Sequence, residues 1–189
     1  MQISACLLVA ALLCPAATLA ADPFGYQYVE LGYLNQSPQS GATIKGPGLG
    51  VAYTIFPDLQ VLGGYAHLDA ATPISSTSYN DYVVGVRGES SYTDTTDFYT
   101  DLLYLNNRQS YLGNHSTDNG GRVALGMRHL FLPWLEFDGS VGHNWLTRSS
   151  NDITVGLVIN ATGGFAVGVN YSHNSATNNT AGLLLRTYF

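Results

Sequence analysis

Cysteine and lysine are nearly missing from this chain. Its 189 residues include two cysteines, Cys6 and Cys14, and a single lysine, Lys45. Both cysteines lie within the first 14 residues, so the rest of the chain has no disulfide framework, thiolate nucleophile or cysteine metal site. Charge is scarce too: 11% of residues are charged, against about 25% in ordinary soluble domains. Thirteen acids face seven bases, a formal net charge of −6, which leaves nucleic-acid binding without an electrostatic footprint. Apolar runs long enough to cross a bilayer as helices, about 20 residues, are also lacking, which excludes a polytopic helical membrane protein. Disorder driven by net charge is excluded as well. What the chain has in plenty is glycine and tyrosine, 21 and 13 residues, within a hydrophobic fraction of 46% and a mean hydropathy of +0.06.

The longest apolar stretch runs from Ile3 to Leu13, and Pro15 breaks it. Thr18-Leu19-Ala20 then supplies the small residues that a signal peptidase reads. Residues 1–20 are therefore expected to be a secretory signal peptide cleaved after Ala20, although no basic residue follows Met1. Ile3-Ser4-Ala5-Cys6 has the letters of a lipoprotein box, but the apolar core follows it instead of preceding it, which argues against lipidation.

From Tyr26 onward the dominant pattern is strict alternation with a period of two. Val29, Leu31 and Tyr33 fall on one face, with Tyr28, Glu30 and Gly32 on the other. Leu49, Val51, Tyr53 and Ile55 oppose Gly48, Gly50, Ala52 and Thr54. Val123, Leu125 and Met127 oppose Arg122, Ala124, Gly126 and Arg128, and Phe165, Val167, Val169 and Tyr171 oppose Ala166, Gly168, Asn170 and Ser172. Continued along the chain, the alternation gives ten strands, or eight if weak ones merge. Their expected length is about nine to eleven residues, what a tilted strand needs to cross a bilayer. Connections alternate in length. Short ones follow Phe56, Phe131 and Ala161, with a somewhat longer one near 90–96; polar stretches occupy 36–43, 70–78, 107–119, 147–152 and 174–179. Short periplasmic turns opposite longer surface loops are an outer-membrane pattern. Residues 21–189 are thus expected to be an all-β, closed antiparallel transmembrane β-barrel in a bacterial outer membrane. A soluble sandwich is the alternative, but it normally shows polar residues on its second face, where this chain has mostly Gly, Ala, Ser and Thr.

Aromatics mark two expected membrane interfaces. Tyr33, Tyr65, Tyr82, Tyr104, Trp145 and Tyr171 fall at the outer ends of their strands; Trp134 and Phe165, with Phe24, Phe56, Phe98 and Phe131, fall at the inner ends. The inward face collects Glu30, Arg87, Asp101, Arg122, Arg128, Glu136, Asp138 and Arg186, together with Glu89. That is four arginines against five carboxylates, near balance. It reads as a lumen closed by ion pairs, or alternatively as a narrow polar pore for small solutes. The small strand number favours side-chain filling.

The alternating strands and the terminal Leu185-Arg186-Thr187-Tyr188-Phe189 resemble small bacterial outer-membrane β-barrels, the OmpA-like and porin-like small barrels without appended domains. Tyr26 to Tyr33 and Val61-Leu62-Gly63-Gly64-Tyr65 are similar to the same group. The resemblance implies that Phe189 is a signal for the barrel-assembly machinery. It further implies contact with outer-membrane lipids and lipopolysaccharide. It is specific for location and poor for activity, because the architecture hosts anchors, adhesins, channels and enzymes.

Catalytic candidates are few. His173-Asn174-Ser175-Ala176 resembles the His-x-Ser-Asn stretch of lipid A-modifying hydrolases, with Ala176 in place of Asn. No acid follows Asp152 to orient the histidine of such a triad. His67 with Asp69, and His115 with Asp118, are the nearest approaches to a protease pair at the rim, while His129 and His143 occupy interface positions. The five histidines lack metal-ligand spacing, and no cofactor motif occurs. The expected function is therefore that of a non-enzymatic integral envelope protein, structural or surface-interacting. A narrow channel is the alternative, and a lipid A-modifying hydrolase a more distant one.

Overall fold

In the computed structural model, residues 27–38, 43–71, 76–161, 164–176 and 178–189 are described. The expected signal peptide, Phe24, and parts of four connections lie outside them. Ten strands follow in order: β1 (Tyr28–Pro38), β2 (Ile44–Phe56), β3 (Leu59–Ala71), β4 (Ser76–Thr93), β5 (Thr96–Tyr111), β6 (Asn114–Leu132), β7 (Leu135–Trp145), β8 (Ser149–Asn160), β9 (Phe165–Asn174) and β10 (Asn178–Tyr188). Each pairs antiparallel with its sequence neighbours, and β10 returns to β1 with Tyr28 opposite Tyr188 and Glu30 opposite Arg186. The sheet is a closed barrel of ten strands. Closure leaves no unpaired edge through the barrel wall, which is what a strand protein needs in hydrocarbon.

Alternation decides which face each residue takes. Leu31, Leu49, Val51, Val84, Leu102, Leu125, Val141, Ile153, Val169 and Leu183 are exposed on the outside. Their inward neighbours include Ala52, Ala124, Arg128, Glu136, Val158, Ala166 and Arg186, all buried. A water-soluble domain does not surround itself with a continuous belt of Leu, Val and Ile. A barrel in lipid does.

The end carrying both chain termini has tight turns at Pro57-Asp58, Asp94-Thr95 and Pro133-Trp134. It is the periplasmic, or inner, end of such barrels. At the outer end one expectation needs correcting. Residues 107–119 are a hairpin, not a loop: β5 and β6 pair up to Tyr111 and Asn114 and turn through two residues. Leu112 and Gly113 have φ of 46° and 79°, the doubly left-handed backbone that matches strand twist in a two-residue turn. The polar composition that reads as a loop is that of a sheet projecting into water. Strands β4, β5 and β6 accordingly run to 18, 16 and 19 residues, beyond the expected nine to eleven, while β7 begins its pairing with β6 only at Trp145 opposite Gly121.

Candidate functional site: the barrel lumen

All nine charged residues assigned to the lumen from sequence point inward, and the structure gives them partners. Arg87 donates to both carboxylate oxygens of Asp101, at 2.7 and 2.9 Å, from the neighbouring strand. Arg186 donates to Glu30 at 2.9 Å across the seam that closes the barrel. Arg128 donates to Glu136 at 3.0 Å; both are almost wholly buried. Such charges persist in a low-dielectric interior only when paired and hydrogen-bonded.

Two further bridges skip a strand. Tyr99 on β5 reaches across β6 to donate its hydroxyl to Asp138 on β7 at 2.8 Å. It passes over Gly126, where a Cβ would collide with the tyrosine ring. Arg122 on β6 reaches across β7 to Asp152 on β8, at 2.6 Å, passing Gly142, whose Cβ would stand 2.9 Å from both partners. Glycine on the middle strand gives a long side chain room to reach the second strand over. The guanidinium of Arg87 lies 3.8 Å from the Tyr99 ring centroid, so Asp101, Arg87, Tyr99 and Asp138 form one connected layer on the lumen side of β4 to β7. Nearer the inner end, Arg186 stacks on Tyr28 at 4.1 Å, and Tyr188 donates to Asn160 at 2.9 Å.

Asp152 escapes the sequence reading, which puts it at the end of a polar loop. It is the buried partner of Arg122, and Asn144 also donates to it at 2.6 Å. Asp81 and Asp97 are further inward carboxylates that the sequence reading does not single out, and Asp118, read there only as a rim partner for His115, also lines the lumen. The expected charge balance is therefore corrected: among the described residues, Glu30, Asp81, Glu89, Asp97, Asp101, Asp118, Glu136, Asp138 and Asp152 face five arginines, the four read from the sequence and Arg148, which lines the outer cavity. The polar ends of β4, β6 and β8 stay in the sheet, which carries their aspartates inside.

Above the Arg87–Tyr99 layer a cavity of about 800 Å³ reaches toward the outer end, where Gln36, Asn107, Gln109 and Thr180 line it. A smaller one of about 280 Å³ lies against β1 to β4. Lumen packing is also apolar in places: Ile44, Ala66, Leu68 and Ala70 cluster with Leu34 and Tyr79, and Val158, Ala166 and Leu184 with Tyr188.

The catalytic candidates do not assemble. His173 bonds Asn179 on β10 through Nδ1 at 2.6 Å, while Ser175 Oγ accepts from the Asn151 backbone on β8 at 3.0 Å. Base and nucleophile thus engage opposite neighbouring strands. His67 lies 3.5 Å from Asp69 and bonds Asn80. His115 bonds Ser110, whereas Asp118 accepts from Thr147. His129 and His143 lie on the outer face, against Phe131 and Trp145. The aromatics assigned to the interfaces, Tyr33, Tyr65, Tyr82, Tyr104, Trp134, Trp145, Phe165 and Tyr171, are all exposed, and the Tyr65 and Tyr82 rings meet at 5.1 Å.

No protein-family model matches the chain, and no curated protein matches it by sequence. Solved structures do resemble it. The β domain of the Bordetella autotransporter BrkA superposes with a TM-score of 0.57 at 9% identity, over 86% of this chain and 98% of that one. The translocator domain of the autotransporter NalP from Neisseria meningitidis gives 0.51 at 10% identity, over 97% and 93%. Neisserial surface protein A gives 0.47 at 14%, over 86% and 96%. At such identities the likeness concerns the fold. Together with the lipid-facing belt, it makes this chain an outer-membrane β-barrel.

Proposed function

We propose that the protein is a non-enzymatic integral protein of the bacterial outer membrane, structural or surface-interacting, whose lumen is closed to solutes in its inner half. One observation carries this reading. The Asp101–Arg87–Tyr99–Asp138 layer occupies the β4–β7 side of the lumen beneath the outer cavity, and Arg186 on β10, paired with Glu30 on β1, comes within 3.9 Å of Glu136 on β7, the buried partner of Arg128. Moving a hydrated solute past them means breaking paired charges in a poorly solvated interior, where stranding one partner costs several kcal/mol. Surface interaction is supported by the β4–β6 sheet, whose exposed tip carries polar side chains beyond the hydrocarbon belt. Its outer-face neighbours are outer-membrane lipids and lipopolysaccharide. The terminal Phe189 serves barrel assembly, and residues 1–20 direct export and are removed, so that the mature chain begins at Ala21.

Planar-bilayer recording tests the closed lumen. The wild-type protein gives no single-channel steps, and combining Arg87→Ala with Tyr99→Ala introduces small ones. Reproducible wild-type steps that are lost on altering Arg87 or Arg128 favour the narrow-channel reading instead.

A further inference from the structure

The smaller lumen cavity has a wall of glycine that packing does not explain. Gly32, Gly48, Gly50 and Gly64 line it on β1, β2 and β3. A Cβ added at these positions would meet its nearest neighbours at 3.5, 3.6, 3.7 and 3.6 Å respectively, ordinary van der Waals distances. None has a left-handed backbone; among the described residues the positive-φ glycines are Gly113 and Gly164. At Gly46, Gly85 and Gly120, by contrast, the place of a Cβ is taken by the backbone of a neighbouring strand. Alanine is therefore admissible at the four niche positions, and glycine there keeps about 280 Å³ of the lumen open.

The niche is lined by apolar and acidic side chains. Leu34, Ala66 and Val83 supply apolar surface, and the carboxylates stand at its two edges, Glu30 on β1 and Asp81 on β4. Glu30 is held by Arg186 at 2.9 Å. Asp81 differs: among the described residues no hydrogen bond or ion pair engages its carboxylate, and it lines both this niche and the larger outer cavity. The excess of carboxylates over arginines in the lumen repels anions and attracts cations. At about 30 Å³ per water, the space suits a body of roughly ten heavy atoms.

We infer that this niche binds a small organic amine, its apolar alkyl or aryl body against the glycine wall and its ammonium on Asp81. The ligand enters from the outer cavity, with which the niche shares Asp81 and Val83. The inference goes beyond the closed-lumen reading and is separate from it, because the niche is bounded by the barrel wall. Conductance of the wild type would overturn the one and leave the other standing.

The test is NMR titration of the whole folded barrel in nonionic detergent micelles with phenethylamine, 2-phenylethanol and phenylacetate, which share a body and differ in charge. Phenethylamine is expected to bind saturably, shifting the amides of Gly48, Gly50 and Gly64. Phenylethanol should bind at least about tenfold more weakly, the scale of one charge-assisted hydrogen bond, and phenylacetate weaker still. Asp81→Asn should lose at least about tenfold in phenethylamine affinity. Gly48→Leu, which fills the niche against Leu34 and Ala66, should abolish binding while the heat-modifiable gel shift of the folded barrel is kept. Where the leucine misfolds, Gly32→Ala combined with Gly48→Ala narrows the same space at ordinary contact distance and should weaken binding. The inference is overturned if no saturable shift occurs, if phenylacetate binds as well as phenethylamine, or if binding survives both Asp81→Asn and the niche-filling change.

Discussion

Arg128 is 2% exposed and Glu136 0%, so each is the other's main replacement for water. Arg128→Met leaves the Glu136 carboxylate without that partner and should destabilise the barrel by about 3–5 kcal/mol. Arg128→Met combined with Glu136→Leu removes both charges and should recover most of that loss. Urea unfolding in lipid vesicles measures both; a double variant as unstable as the single one would mean that the pair's geometry holds more than its own charges. At the outer tip, Leu112 holds a left-handed φ of 46°, which costs a branched side chain roughly 1–2 kcal/mol. Leu112→Asn should therefore gain about 1 kcal/mol in the same assay, and a loss would show that the leucine is held by contacts of its own. The sequence discloses which residues face inward, because alternation fixes that. It does not disclose their partners. Arg122–Asp152 and Tyr99–Asp138 each skip a strand, and only the three-dimensional register places Gly142 and Gly126 beneath them.

Among the elements, β5, β6 and β7 form a unit in which the middle strand's glycine lets the outer two communicate. Gly126→Leu drives a side chain into the space of Tyr99 and should separate its hydroxyl from Asp138 and its ring from Arg87. In bilayers this variant is expected to show conductance that the wild type lacks, with the folded gel mobility retained. Silent bilayers from a properly folded variant would place the barrier lower, at Arg128 and Arg186. The strands themselves are legible from alternation throughout. Their outer ends are not, since the Asn-, Ser- and Thr-rich composition of 107–119 is shared by loops and by sheet standing in water. The short turns at Pro57-Asp58 and Pro133-Trp134 were easier to read, because proline cannot continue a ladder.

For the whole molecule, the apolar belt is what assigns the solvent. Leu125 faces out from β6, opposite Thr100 and Val141. Leu125→Arg should cost about 2–4 kcal/mol of stability in a bilayer and little in a soluble protein, and vesicle unfolding distinguishes the two. Membrane location and barrel closure were thus readable from the scarcity of charge and the period of two. The division of the lumen was not, since it depends on which aspartates stay in strand at the ends of β4, β6 and β8. The division we propose is an open outer cavity above a closed inner half. Cysteine accessibility tests it most directly, with Ser140→Cys in the outer cavity and Val158→Cys in the 2%-exposed inner cluster. Intact cells are treated with a membrane-impermeant thiol reagent. Labelling at position 140 without labelling at position 158 is the predicted result; labelling of both from outside would contradict the account.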